Sequence, residues 1–91
     1  MSYAVDFKPS ALKSLGRLPK PVQQGMIEKI ELLASDPHAA GEEKLSAHDG
    51  LYRVRNGNYR AVYARQGGKI TILLIGDRKN VYEELKRKGY R

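Results

Sequence analysis

Two dipeptides, Asn56-Gly57 and Gly67-Gly68, constrain this chain more than any other feature in it. Asn-Gly and Gly-Gly are preferred two-residue loops of β-hairpins, because such turns require positive φ, which most side chains resist. The flanking stretches LYRVR, NYRAVYAR and KITILLIG are rich in β-branched and aromatic residues and alternate over much of their length. Three antiparallel strands are therefore expected near 51–55, 58–65 and 69–76.

Two-residue loops also fix register. Around Asn56-Gly57, Arg55 is expected opposite Asn58 and Arg53 opposite Arg60. Around Gly67-Gly68, Asp77 falls opposite Asn58 and Ile75 becomes the neighbour of Arg60. Alternation then puts Arg53, Arg55, Asn58 and Arg60 on one face, shared with Leu51, Val62, Leu73 and Ile75. The other face holds Tyr52, Val54, Tyr59, Ala61, Tyr63, Ile70, Ile72 and Leu74. Unit charges ~5.5 Å apart repel by about 0.7 kcal/mol in water, so facing arginines weaken a sheet. Selection for folding alone would avoid them, which points to an anionic ligand.

The first half reads differently. Tyr3, Val5 and Phe7 alternate with Ser2, Ala4 and Asp6 as a short strand. Prolines at 9, 19, 21 and 37 then start or stop two helices, roughly 9–18 and 21–35. Val22, Met26, Ile30 and Leu33 share a face of the second, and Leu12, Leu15 and Leu18 of the first. The tail VYEELKRKGYR reads as a short basic helix. The expected fold is α+β, in the order β-α-α-β-β-β-α: a single domain over 1–91 with a mainly antiparallel four-stranded sheet and a helical hairpin on one face.

Charge separates the halves. Residues 1–52 hold six Lys/Arg against seven Asp/Glu, whereas residues 53–91 hold eleven against three, a net +8. Such a surface suits an anionic partner. Its basic residues do not lie along one amphipathic helix, which argues against a membrane surface. The absence of cysteine excludes disulfides and thiolate metal sites and suits a reducing cytoplasm. The N-terminus has no apolar run long enough for a signal peptide or membrane span.

Arg78, just past the third hairpin strand, arrives at the arginine corner from another direction, with Lys79 beside it and Tyr82 one helical turn on. Guanidinium groups make bidentate contacts to phosphate oxygens, and guanidinium or phenol rings stack on splayed bases. Single-stranded RNA is the ligand that fits best. For one arginine, a stem covering apolar neighbours would suffice as an explanation; four converging arginines exceed it. His38 falls in a break after the second helix and His48 in the loop before the hairpin, and both read as surface residues, with a proton-transfer role for His48 left open as the alternative. Glu42-Glu43 and Glu83-Glu84 read as solvated pairs and not as metal ligands.

GLYRVRNGNYRAVY followed by ILLIGDRKNVY, with VDFKPSALKSL and Lys44-Leu45 upstream, resembles the RelE/ParE superfamily of toxins from bacterial toxin–antitoxin pairs. The likeness spans nearly the whole chain. The RelE branch implies a ribosome-dependent endoribonuclease that cuts messenger RNA without metal or other cofactor. By position, Tyr82, Arg78 and Arg60 take the catalytic roles, and Arg53, Arg55, Asn58 and Lys79 hold RNA phosphates. The ribose 2′-OH would attack the adjacent phosphate, leaving a 2′,3′-cyclic phosphate and a 5′-OH. Arginine stays protonated at neutral pH, so Tyr82 is the expected base, and guanidinium groups around a phenol favour its ionised form. The resemblance also implies a cognate antitoxin protein. A ParE-like inhibitor of DNA gyrase and a non-catalytic RNA-binding module are the alternatives.

Overall fold

The computed structural model describes residues 2–45 and 50–89. Along the chain come β1 (Ala4–Phe7), α1 (Pro9–Gly16), α2 (Lys20–Ser35), β2 (Glu43–Lys44), β3 (Leu51–Asn56), β4 (Tyr59–Gln66), β5 (Lys69–Asp77) and α3 (Asn80–Arg87). The strands make one five-stranded sheet in the order β1-β5-β4-β3-β2. β1 runs parallel to β5 and the other pairs are antiparallel. The α+β class and element order are as expected, with one more strand: β2, whose Glu43 and Lys44 pair with Arg53 and Tyr52.

Pro9 occupies the first turn of α1, and Pro21 that of α2, where a missing N–H costs nothing. α1 buries Ala11 and Leu15, one turn apart, and leaves Leu12 exposed, contrary to its expected place on the apolar face. α2 buries Met26, Ile30 and Leu33. These side chains pack on Val54, Ala61, Tyr63, Ile70, Ile72 and Ile75, forming the larger core on one face of the sheet. On the other face α3 lays Val81 and Leu85 over Leu51, Val62, Leu73 and Leu74, with Leu45 alongside. The arginine face is thus roofed in part by α3.

The first hairpin turns one position later than expected. Its central residues are Gly57 and Asn58, with Asn56 opposite Tyr59 and Arg55 opposite Arg60. Gly57 has φ 64°, and no non-glycine among the described residues has positive φ. This is the II′ pattern, with glycine first; the expected I′ turn would put Asn56 in the left-handed region. Asn56 is used otherwise. Its Nδ2 donates to the Val22 carbonyl oxygen at 3.4 Å, and a Cβ on Gly25 would lie 2.4 Å from that nitrogen. Gly25 is therefore where the hairpin closes onto α2.

The slip moves both strands together, so parity survives. Arg53, Arg55 and Arg60 still share a face, but Arg60 meets Arg55, and Arg53 meets Val62. The second hairpin begins in the expected register, Gln66 opposite Lys69, then breaks: Tyr63 faces Ile72 while Val62 faces Leu74. Leu73 is the extra residue of a β-bulge. Beyond it the faces exchange. Ile75 joins the larger core and Leu74 the smaller, each opposite to expectation. Gly76, not Ile75, faces Arg60, and Asp77 faces Tyr59, not Asn58.

Candidate functional site

The short segment between β5 and α3 sets one side of the site. Asp77 Oδ1 accepts from the backbone N–H of Lys79 at 3.2 Å and of Asn80 at 2.8 Å, and Oδ2 accepts from the Asn80 side chain at 3.0 Å. A carboxylate receiving the first free amides of a helix both satisfies them and complements its dipole. The Arg78 N–H donates to the Asn58 carbonyl oxygen at 2.8 Å, tying this segment to the first hairpin's turn. Asn58, Asp77, Arg78, Lys79 and Asn80 line an open cavity of about 280 Å³. The side chains of Arg78 and Lys79 are exposed there.

One helical turn on, Tyr82 rests half-buried against the smaller core. Its hydroxyl accepts a hydrogen bond from Arg53 Nη1, and the Arg53 guanidinium carbon lies 5.6 Å from the Tyr82 ring centroid. Arg53 Nε donates to Glu43 Oε1 at 3.3 Å. The hydrogen bond to Tyr82 is the main cause holding the Arg53 guanidinium protonated above its ordinary range; partial burial opposes it, and Glu43 adds to it. Half-exposed ion pairs of this kind contribute about 0–1 kcal/mol to stability. The Glu43–Arg53 contact matters more for where it holds the guanidinium.

Arg55 is exposed on the same face, two residues from Arg53 and opposite Arg60. Arg60 Nη1 donates to the carbonyl oxygens of Gly57 at 3.0 Å and Tyr59 at 3.2 Å, and its Nε is buried without a partner among the described residues. Register thus strings the expected site residues along one face: Tyr82 on Arg53, Arg53 beside Arg55, Arg55 against Arg60, then the turn at Asn58 with Arg78 and Lys79. Among the described residues, the side-chain hydrogen bond within this set is the one between Arg53 and Tyr82.

Arg60→Leu removes two hydrogen bonds to the hairpin, at about 0.5–1.5 kcal/mol each, and relieves about 0.7 kcal/mol of repulsion from Arg55. With Gly76 opposite it, the leucine gains no apolar partner across the β4–β5 pair. The variant is expected to unfold in urea within about 1–2 kcal/mol of wild type, on the destabilised side.

The glutamate pair is where reading residues by type missed most. Glu42 Oε1 accepts from the Tyr63 hydroxyl at 2.6 Å, and Oε2 pairs with Arg65 at 3.2 Å. Burial first, and then the bond to Glu42, push the Tyr63 phenol far up, so it remains a donor. Arg65 also donates to the Tyr3 hydroxyl at 3.1 Å and lies over the Tyr52 ring. Adjacent residues of an extended chain point to opposite faces, which lets Glu42 reach Tyr63 while Glu43 reaches Arg53. At two residues, β2 leaves no period in the sequence that could announce either role. His38 is exposed, as expected, and His48 lies outside the described residues.

The profile of the family described as "ParE toxin of type II toxin-antitoxin system, parDE" matches residues 5–82. The chain is 31% identical over 83 residues to Toxin RelE of Mycobacterium tuberculosis, covering 88% of this chain and 86% of that one. A free-state structure of an E. coli RelE mutant matches with a TM-score of 0.79 at 24% identity, over 98% of this chain and 99% of that one. The archaeal RelE–RelB complex from Pyrococcus horikoshii matches with a TM-score of 0.70 at 27% identity, over 87% of this chain and 98% of its own. With the fold and both sequence matches in agreement, the chain belongs to the RelE/ParE superfamily of toxins of type II toxin–antitoxin systems.

Proposed function

We propose that this toxin is a ribosome-dependent endoribonuclease that cleaves messenger RNA and so stops translation. The observation that carries the reading is the Arg53–Tyr82 hydrogen bond, on a sheet face that also bears Arg55 and Arg60. A phenol oxygen beside a guanidinium combines a proton acceptor with positive charge for a phosphorane-like transition state. The 2′ oxygen bonds to phosphorus, its proton passes to the Tyr82 oxygen in its ionised form, and the bond from phosphorus to the 5′ oxygen breaks. Arg78 neutralises charge on that leaving oxygen, which then takes a proton from water to give the 5′-OH. Arg53, Arg55 and Arg60 hold the phosphate, and Asn58 and Lys79 the neighbouring backbone.

Such a site transfers protons poorly, since guanidinium is a very weak acid, and the ribosome would supply what it lacks by holding the strand in line. The similarity of the fold to RelE in a RelE–RelB complex supports a cognate antitoxin as partner. Its segment over the basic half would be acidic. Inhibition of DNA gyrase is the second reading, favoured by the ParE description of the matching family.

Induction in a bacterial host separates the two. New messenger RNA 5′ ends within translated frames support the ribonuclease; DNA breaks with an SOS response support the gyrase reading. In vitro, inorganic phosphate at about ten times its dissociation constant should stabilise the folded site by about 1.4 kcal/mol, or about 6–11 °C in melting temperature. Arg55→Ala, which removes an exposed guanidinium and no described hydrogen bond, should reduce that rise by at least half. Equal rises in both proteins would remove Arg55 from the anion site.

A further inference from the structure

Within a face suited to polyanions, Glu43 is out of place. Its carboxylate repels phosphate, and a half-exposed ion pair does little for stability. Its position is nonetheless fixed. Glu43 lies directly opposite Arg53 in the β2–β3 register, on a two-residue strand. The residue before it, Glu42, is held by the buried Tyr63 hydroxyl and by Arg65. A fully buried side chain thus anchors the segment that presents Glu43.

The geometry of the contact says what it does. Arginine has five N–H donors and a long, flexible stem. Arg53 gives its Nε hydrogen to Glu43 and one Nη1 hydrogen to Tyr82. Three of the five remain, one on Nη1 and two on Nη2, at the end of the fork that reaches phosphate oxygens. Glu43 therefore grips the guanidinium where it does not compete with substrate. Released from that grip, the stem could turn and Tyr82 would lose the donor that orients its hydroxyl.

We propose that Glu43 is a positioning residue: it holds the Arg53 guanidinium so that one N–H donates to Tyr82 while three remain for the scissile phosphate. This rests on the endoribonuclease reading above. The strand β2 then exists to present one carboxylate to one arginine. Glu43 touches no substrate and takes no proton.

Two substitutions in the full chain separate this from charge and from folding. Glu43→Ala and Glu43→Gln remove the same negative charge, but the glutamine keeps an oxygen that can accept from Arg53 Nε. In single-turnover cleavage of ribosome-bound messenger RNA, Glu43→Ala should lower the saturating rate by about tenfold or more, with half-saturation unchanged or improved. Glu43→Gln should recover most of that rate. Equal rates in the two variants, or an undiminished rate in Glu43→Ala, would overturn the proposal. The second readout needs no cleavage. By nitrogen-15 NMR, exchange of the Arg53 Nε hydrogen with water should be slow in wild type and Glu43→Gln and fast in Glu43→Ala. Fast exchange in all three overturns the proposal directly. Slow exchange in wild type without any cleavage on ribosomes would instead overturn the endoribonuclease reading and leave Glu43's hold on Arg53 standing.

Discussion

Tyr82→Phe should abolish most messenger RNA cleavage while leaving the protein folded. The substitution removes one oxygen. The ring keeps its place against the smaller core, so the cost in stability is about that of one partly exposed hydrogen bond to Arg53, about 1 kcal/mol. Loss of a general base lowers rate by ~10²–10⁴. Growth arrest on induction should disappear, and single-turnover assays on programmed ribosomes should show the fall in rate at unchanged ribosome affinity. If Tyr82→Phe remains as toxic as wild type, the phenol is not the base and the proton must go elsewhere.

The second large effect is on the element that carries Tyr82. α3 has eight residues, too few to be helical in water by itself. It stays because Val81 and Leu85 are buried against Leu51, Val62, Leu73 and Leu74. Leu85→Ala leaves a cavity where a 2% exposed side chain stood, at a cost of about 2–5 kcal/mol. The larger core on the opposite face has no share in that contact, so much of the loss should appear as undocking of α3 and not as global unfolding. Amide hydrogens of residues 81–87 should exchange much faster in Leu85→Ala while those of β4 and β5 change less. Cleavage should fall with the docked fraction. Uniform acceleration across the sheet would show α3 and the larger core to be a single cooperative unit.

What was legible in the sequence, and what was not, follows from how much pattern each feature leaves. Two glycine turns announced the three-stranded meander, and strand parity placed Arg53, Arg55 and Arg60 on one face even though the turn was one residue out. The turn itself was hidden because Asn56-Gly57-Asn58 holds two overlapping loops, Asn-Gly as I′ and Gly-Asn as II′, and in the second Asn56 is free to bond to α2, a contact between distant segments. The bulge at Leu73 was hidden because ITILLI is apolar at nearly every position, so a change of face leaves no mark. β2, at two residues, has no period to read. The roles of Glu42 and Glu43 depended on that strand and were invisible with it; helical spacing set Tyr82 one turn beyond Arg78, and its contact with Arg53 came from the packing of α3 on the sheet.

The parallel pairing of β1 with β5 joins an early and a late part of the chain in time as well as in space. Ala4, Val5, Asp6 and Phe7 find their partners only in Lys69, Ile70, Thr71 and Ile72. While the protein is being made, its first strand has no neighbour until residues 69–72 have been added. The local hairpins from β3 to β5 can close as they emerge, since their turns are short and their contacts near in sequence. The larger core cannot, because α1 and α2 wait for Ile70, Ile72 and Ile75 to pack on. Tyr82 comes later still. A nascent chain of this toxin is thus without its parallel sheet edge and its larger core until β5 has been made, and without its phenol until α3 follows; the β3–β4 hairpin is what can close before then.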